Sequence, residues 1–310
     1  MSTQLYHGDC LAVMATLPEQ SVDTVVCDPP YGFTACKWDS VIPFPAMWAA
    51  LERLVKPRGA IVLTANQPFT SALVMSKPDW YRHCWVWDKV RPSGFQCSKH
   101  RPMMRHEDVM VFSKEPPNYR PLCERKKMPT VSLSGYRKRK QSESNPLAHQ
   151  DGKKRLMLAA FPQSILVYHK PGGGPSAQAA RSGGHPTEKS VELMEYLVRT
   201  YARADDMVLD FTMGSGTTGE ACVNTGRNFI GIELDPHWFS VATTRVKMAE
   251  TRKMLGTPGL GLGVEDNYME VEEAVKILEE LDPPMAALMS TNDGTDTEDD
   301  DEVIDEVFGA

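Results

Sequence analysis

Two short turns in this 310-residue chain carry side chains suited to chemistry. The first is Asp28-Pro29-Pro30-Tyr31, directly after Val22-Asp23-Thr24-Val25-Val26-Cys27. As plain structure it is a proline turn that ends a strand. As chemistry it uses every residue. The amino group of a nucleobase is a poor nucleophile, because its lone pair is delocalised into the ring. An Asp28 carboxylate and a Pro29 carbonyl would each accept one of its N–H bonds. Together they would draw the nitrogen toward tetrahedral geometry and aim its lone pair. Pro29 and Pro30 remove backbone donors and fix the turn. Tyr31 offers a flat face to an unstacked base. Extruding such a base from a duplex costs roughly a few kcal/mol, and stacking returns on the order of 1–3 kcal/mol.

The second turn is Asp210-Phe211-Thr212-Met213-Gly214-Ser215-Gly216-Thr217-Thr218-Gly219. Gly214, Gly216 and Gly219 match the G-x-G-x-x-G of dinucleotide sites, and Glu233 lies near the spacing of a ribose-binding acid. That makes a nicotinamide cofactor one candidate. Asp210 argues against it, since a carboxylate at the strand end would repel a pyrophosphate. S-adenosylmethionine carries no phosphate. Asp210 would pair with its ammonium group, the glycine-turn backbone would lie along its methionyl arm, and Glu233 would accept both ribose hydroxyls. A structural turn with a capping acid is the remaining alternative.

The elements around these turns alternate. Strand signals at Val22–Cys27, Ala60–Thr64, Cys84–Trp87 and Val109–Phe112 enclose a helix with Met47, Ala50, Leu51, Leu54 and Val55 on one face. Lys56-Pro57-Arg58-Gly59 should stop that helix. Residues 116–180 lack a clear period and are rich in Pro, Ser, Lys and Arg, which suggests an irregular insertion. Alternation returns over 181–256: a helix from Pro186 through Tyr201, a strand at Met207–Leu209, a helix ending near Gly226, a strand at Phe229–Ile232, and a long helix opened by Asp235-Pro236. Residues 257–310 begin as a glycine-rich linker, hold one short helical pattern (Val271, Val275, Leu278) and end in an acidic tail that cannot fold alone. This order predicts an α/β fold, a parallel sheet with helices on both faces and ligands at the carboxyl ends of its strands.

The net charge of −7 conceals an uneven distribution. From Thr291 onward there are nine acids and no base; the rest of the chain carries +2. Arg125-Lys126-Lys127, Arg137-Lys138-Arg139-Lys140 and Lys153-Lys154-Arg155 concentrate positive charge in the insertion, either as a solvated loop or as a surface for phosphates. Seven scattered cysteines without a CxxC pair suit a reducing cytoplasm and give no disulfide framework. Cys97, His100 and His106 lack zinc-ligand spacing. There is no signal-peptide pattern and no apolar run of about 20 residues, so neither secretion nor a membrane is expected.

In this ordered set of motifs the chain resembles the amino-methylating DNA methyltransferases of the permuted β group. There the catalytic turn comes first, a target-recognition segment follows and the cofactor turn comes last. Asp28–Tyr31, the basic insertion and Asp210–Thr218 stand in that order. Gly8-Asp9-Cys10-Leu11 is similar to the family's cofactor-adenine segment and points to Asp9. His185-Pro186-Thr187-Glu188-Lys189 is similar to the segment that lines the methionyl end. Gly231-Ile232-Glu233 is similar to the ribose-binding strand end. The resemblance implies a Rossmann-like methyltransferase sheet in two halves. Residues 1–115 are the catalytic half, 116–180 the inserted target-recognition segment, and 181–256 the cofactor-binding half. It also implies S-adenosylmethionine as cofactor, bound by Asp9, Thr187, Glu188, Lys189, Asp210, Gly214, Ser215, Gly216, Thr217 and Glu233. Double-stranded DNA is the implied partner, with N6 of adenine the implied target. The alternatives are N4 of cytosine and, further off, an adenine in RNA. An Asp at the first position of the catalytic turn favours adenine in this family. Members often pair, so a homodimer is an open expectation. The chain departs from the family at Phe211-Thr212, where Asp-Pro-Phe is frequent, which puts an aromatic cofactor contact there in doubt.

Overall fold

The computed structural model describes residues 1–33, 39–133, 154–169, 188–256 and 268–269. They fall into two compact units. One comprises residues 1–119 and 163–264, the other 120–162 and 265–310.

The larger unit is built on an eight-stranded sheet. Its strands are β1 (Thr3–His7), β2 (Val22–Cys27), β3 (Val55–Ala65), β4 (Tyr81–Ser93), β5 (Met104–Phe112), β8 (Ile165–Val167), β9 (Met207–Asp210) and β10 (Asn228–Glu233). Their spatial order is β1-β10-β9-β2-β3-β5-β4-β8. Seven run in one direction and β5 runs against them, pairing antiparallel with both β3 and β4. β2 shows why the centre of the sheet forms. It is rich in valine, and five of its six residues are buried, as expected for a strand covered on both faces.

Helices α1 (Cys10–Thr16), α2 (Phe44–Leu54) and α3 (Phe69–Ser76) pack together on one face. Helices α4 (Val191–Tyr201), α5 (Thr217–Thr225) and α6 (Pro236–Met254) pack together on the other. Local sequence sets their ends. Asp9 caps α1 by accepting from Ala12 N at 2.9 Å. Asp235 caps α6 through His237 N and Trp238 N, with Pro236 at the first helical position. Gly226 (φ +78°) closes α5 in the left-handed region.

Several expectations change. Helix α2 stops at Leu54, and β3 already includes Lys56-Pro57-Arg58-Gly59. The reason is that β3 pairs from Val55 onward, with Val55 opposite Val22. The sheet is mixed rather than parallel. The insertion is not irregular: β6 (Cys123–Leu133) and β7 (Lys154–Ala160) pair antiparallel there, and β11 (Tyr268–Met269) adds to β6. Its far boundary also moves, because Ile165–Val167 returns to the main sheet beside β4. Pro186, the cations at 137–140, the short helix near Val271 and the acidic tail lie outside the described residues.

The chain leaves the sheet centre in opposite directions. β2 leads through α2 to β3 on one side, and β9 leads through α5 to β10 on the other. β2 and β9 are themselves neighbours, with Val25 opposite Leu209. The carboxyl ends of these two strands therefore border a crevice, the place where open α/β sheets bind ligands. Asp28 follows one strand and Asp210 ends the other.

Close packing behind that crevice depends on Gly219. A Cβ there would sit 2.7 Å from Phe229 Cε1 and 2.7 Å from Val246 Cγ2. Gly219→Ala should therefore destabilise the fold by about 1–3 kcal/mol, the usual cost of overpacking, read as a lowered urea midpoint with an unchanged m-value.

Candidate active site

A cleft of about 470 Å³ lies along the carboxyl ends of β1, β10, β9, β2 and β3. Its lining includes Asp9, Asp28, Pro29, Pro30, Tyr31, Glu188, Lys189, Asp210, Gly214, Ser215, Thr217 and Glu233. These are most of the residues that the sequence singles out. Gly216 is not among them. Its φ of +81° and the backbone of Ala242, 2.9 Å from where a Cβ would stand, give it a packing role against α6. Thr187 lies outside the described residues.

At one end of the cleft, three donors converge on a single oxygen of Asp28. The Tyr31 hydroxyl is 2.6 Å from Asp28 Oδ1, the Thr64 hydroxyl bonds the same atom, and Lys189 Nζ is 3.0 Å from it. Among the described residues no donor reaches Oδ2, and the Asp28 side chain keeps 25% of its surface exposed. One oxygen is thus fixed and the other left to accept. Lys189, which its motif assigns to the cofactor, stands at the Asp28 end of the cleft. Register explains this position. β5 runs antiparallel to β3, so its first residues reach the catalytic rim, and Glu107 stands there opposite Trp87. Glu107 Oε2 takes Lys189 Nζ at 2.8 Å, and Glu107 Oε1 takes Lys89 Nζ at 3.0 Å. Lys89, Glu107 and Lys189 are all buried. Burial opposes the charge on Lys189, but the carboxylates of Asp28 and Glu107 outweigh it and hold its pKa above the ordinary lysine range. Burial likewise opposes the charge on Glu107, and the two ammonium groups outweigh it and pull its pKa down. The Tyr31 phenol is pushed well up by burial and by Asp28, so it stays a donor.

At the other end, Asp210 is buried at the tip of β9 and accepts from Thr212 N at 3.1 Å. Burial raises its pKa to about 7. Glu233 sits one strand further out. Its Oε2 accepts from Gly214 N and its Oε1 from Asp235 N, both at 2.8 Å. Each oxygen keeps a lone pair for a further donor. Gly214 adopts φ +53°, and an added Cβ there would meet nothing within 4 Å, so the turn leaves open space beside the two acids. Asp9, the N-cap of α1, follows β1, the strand next to β10, and lines the same cleft. Glu188 faces the same region but is held by Arg245 at 2.6 Å. Arg245 also reaches Glu220 at 2.6 Å, Ser215 Oγ at 3.2 Å and Thr217 Oγ1 at 3.1 Å. It braces the glycine turn from behind.

Thr212 joins the two ends. Its hydroxyl donates to the Asp28 carbonyl at 3.1 Å and lies 3.0 Å from Cys27 Sγ. This contact spans 184 positions in sequence. Thr64, Lys89, Glu107, Thr212 and Arg245 escape sequence reasoning. Glu107-Asp108, two acids abutting the apolar run Val109–Phe112, was the one available signal.

The buried bridge makes a sharp stability prediction. Lys189→Met leaves Asp28 and Glu107 without their shared cation, and should cost about 3–5 kcal/mol, as for other broken buried pairs. Adding Glu107→Gln and Lys89→Met removes the buried charges of that pair, leaving only the partly exposed Asp28 without its cation, and should recover part of that loss. Urea unfolding of the single and triple variants checks both statements.

Comparison with known proteins agrees with this geometry. A DNA methylase family model matches residues 22–244. The DNA adenine methyltransferase YhdJ of Escherichia coli (strain K12) is 29% identical over 262 residues, covering 79% of this chain and 83% of its own. The type II methyltransferase M1.MboII of Moraxella bovis is 26% identical over 258 residues, covering 77% and 94%. The solved M1.HpyAVI–SAM complex matches with a TM-score of 0.53 at 25% identity, over 79% of this chain and 98% of that one. The PvuII cytosine-N4-specific DNA methyltransferase matches in fold with a TM-score of 0.56 at 17% identity, over 84% and 96%. With its family model spanning both turns and the strands that carry them, the chain belongs to the N6/N4 family of S-adenosylmethionine-dependent DNA methyltransferases.

Proposed function

We propose that the chain methylates N6 of adenine at a specific site in duplex DNA. The observation that carries this reading is the half-filled carboxylate of Asp28. Tyr31, Thr64 and Lys189 hold Oδ1, and Oδ2 is left as the acceptor for one N–H of the target amine. The Pro29 carbonyl would accept the other. S-adenosylmethionine, when bound, supplies an electrophilic methyl group to this end of the cleft. The chain's own part is to strip resonance from the amine nitrogen and to orient its lone pair. As the nitrogen gains positive charge, the anionic Asp28 stabilises it and directs the proton that must leave, in keeping with electrostatic preorganisation. The adenine-specific name of YhdJ supports the choice of base.

The cofactor end fits the same reading. Asp210 would pair with the cofactor ammonium, Glu233 would accept its ribose hydroxyls, and Asp9 would face its adenine. Glu188, Ser215 and Thr217 would border the methionyl arm. Arg245 neutralises Glu188 and orients Ser215 and Thr217.

Two experiments test the assignment. The first uses the raised pKa of Asp210. Folding raises this pKa from 3.8 to about 7, so Asp210 weakens the unliganded protein as pH rises across that interval. An ammonium partner needs the carboxylate. Binding should therefore release a proton below about pH 7, and affinity should climb until then. It should fall again above roughly pH 8, where an α-amino group loses its charge. In Asp210→Asn the climb should vanish and the affinity drop; calorimetry between about pH 5.5 and about pH 8.5 reads both. A wild-type affinity flat with pH would remove Asp210 from the ammonium site. The second experiment is Asp28→Ala. It should abolish methyl transfer while calorimetric cofactor affinity stays near that of the parent. Modification-sensitive sequencing of DNA from cells expressing the parent gives base, atom and site. N4-methylcytosine without N6-methyladenine would reassign the base and keep the chemistry.

A further inference from the structure

The hairpin between β4 and β5 has no part in the reaction as derived so far. Its position is fixed by register. Ala65 at the end of β3 stands opposite Asp108, and Trp87 stands opposite Glu107. Trp87 and Glu107 line the cleft. The chain from residue 89 to 106 therefore continues outward from the catalytic rim.

Its chemistry is one-sided. Residues 89–106 hold five Lys or Arg, two His and no acid, in a chain of net charge −7. Lys89 points inward to Glu107. Arg105 closes on Asp88 through two bonds of 2.8 Å. Arg91, Lys99 and Arg101 are exposed, and among the described residues none of them is in an ion pair. The base of the arm is stiff. Asp88 Oδ1 also takes Val90 N at 2.8 Å, and Val90 adopts φ +64°, a conformation that a β-branched residue avoids. Five steps along β4, from Asp88 to Ser93, oppose only two on β5, from His106 to Met104. Such a bulge re-aims the strand: here it sends Lys89 into the core and Arg91 out. The tip is also built. Gly94 (φ +84°) opens a tight turn closed by Cys97 N to Gly94 O at 2.9 Å and Ser98 N to Phe95 O at 3.0 Å. On it Phe95 is 76% exposed. A large apolar ring on an ordered turn among cations is out of place on a surface that meets only water.

We propose that this hairpin is a DNA-contacting arm: Arg91, Lys99 and Arg101 take backbone phosphates beside the target base, and Phe95 stacks into the space that base leaves in the duplex. The inference rests on duplex DNA being the substrate. Exposed cations supply phosphate contacts without reading sequence, and apolar side chains entering a base step are a known means of unstacking a duplex.

The test uses the full chain and duplex oligonucleotides containing the mapped site. Arg91→Gln/Lys99→Gln/Arg101→Gln should flatten the log–log salt dependence of binding by about 2.7, from about 0.9 per phosphate contact, with cofactor affinity retained. The same neutralisation of Arg58, Lys114 and Arg203, at the opposite end of the strands, should leave the slope unchanged. Single substitutions in the first trio should each remove about 0.9. An unaltered slope, or equal losses in the two trios, overturns the phosphate contacts. Phe95→Ala should slow single-turnover methylation of a paired target by about tenfold, one lost stacking contact. It should slow a mismatched target much less, and Phe95→Trp should restore the rate. Equal slowing on both targets, or none on either, overturns the stacking role. If the parent itself neither binds nor methylates duplex DNA, the substrate reading fails, a result distinct from either of these.

Discussion

The ammonium of Lys189, buried between the carboxylates of Asp28 and Glu107, is the interaction on which the active centre depends. Asp28 sits after β2, Glu107 on β5 and Lys189 just before α4. Three parts of the chain thus meet on one nitrogen. Desolvating one cation with one anion is costly and often gains nothing in stability. Here a second cation, Lys89, shares Glu107, so the cluster of two acids and two bases is neutral as a whole. What the arrangement secures is orientation. A carboxylate free to rotate would present either oxygen to a substrate, whereas this one has a fixed side and an open side.

The cofactor end follows a different logic. Among the described residues no cation lies beside Asp210, and burial, with a smaller push from Asp28, raises its pKa to about 7. The cleft therefore holds one acid whose charge is balanced within the protein and one whose charge waits for a ligand. Thr212 keeps the two in register by donating to the Asp28 backbone from the glycine turn. That hydroxyl adds to the β2–β9 pairing in keeping the two turns aligned, which matters where displacements of about 1 Å cost on the order of 100-fold in rate.

Much of this was legible in the residues themselves. Asp28–Tyr31, Asp210, Gly214 and Glu233 follow apolar strands, and strand ends can be read from where hydrophobic alternation stops. The α/β class and its two faces of helices followed from the same alternation. Lys189 was visible, but its partner was not. Nothing in a one-dimensional pattern shows that β5 runs backwards, and without that reversal Glu107 would lie at the far end of the sheet. The packing of Gly216 was hidden for a related reason: its close neighbour, Ala242, is 26 positions away on another helix. The strands β6 and β7 were hidden because their sequences are charged and carry little alternation.

The strand order has a consequence for how the protein comes into being. β1 pairs with β10, and β2 with β9, so the first strands made wait for partners roughly two hundred positions later in the chain. On a ribosome, β2 emerges with one edge unpaired, and Asp28 stands exposed until β9 and its glycine turn arrive. Long-range parallel pairing of this kind is slow to form and leaves strand edges open in the meantime. The fold thus has a temporal direction. The part that would hold the base is synthesised early, and the cleft is complete only when the second half of the sheet pairs with the first.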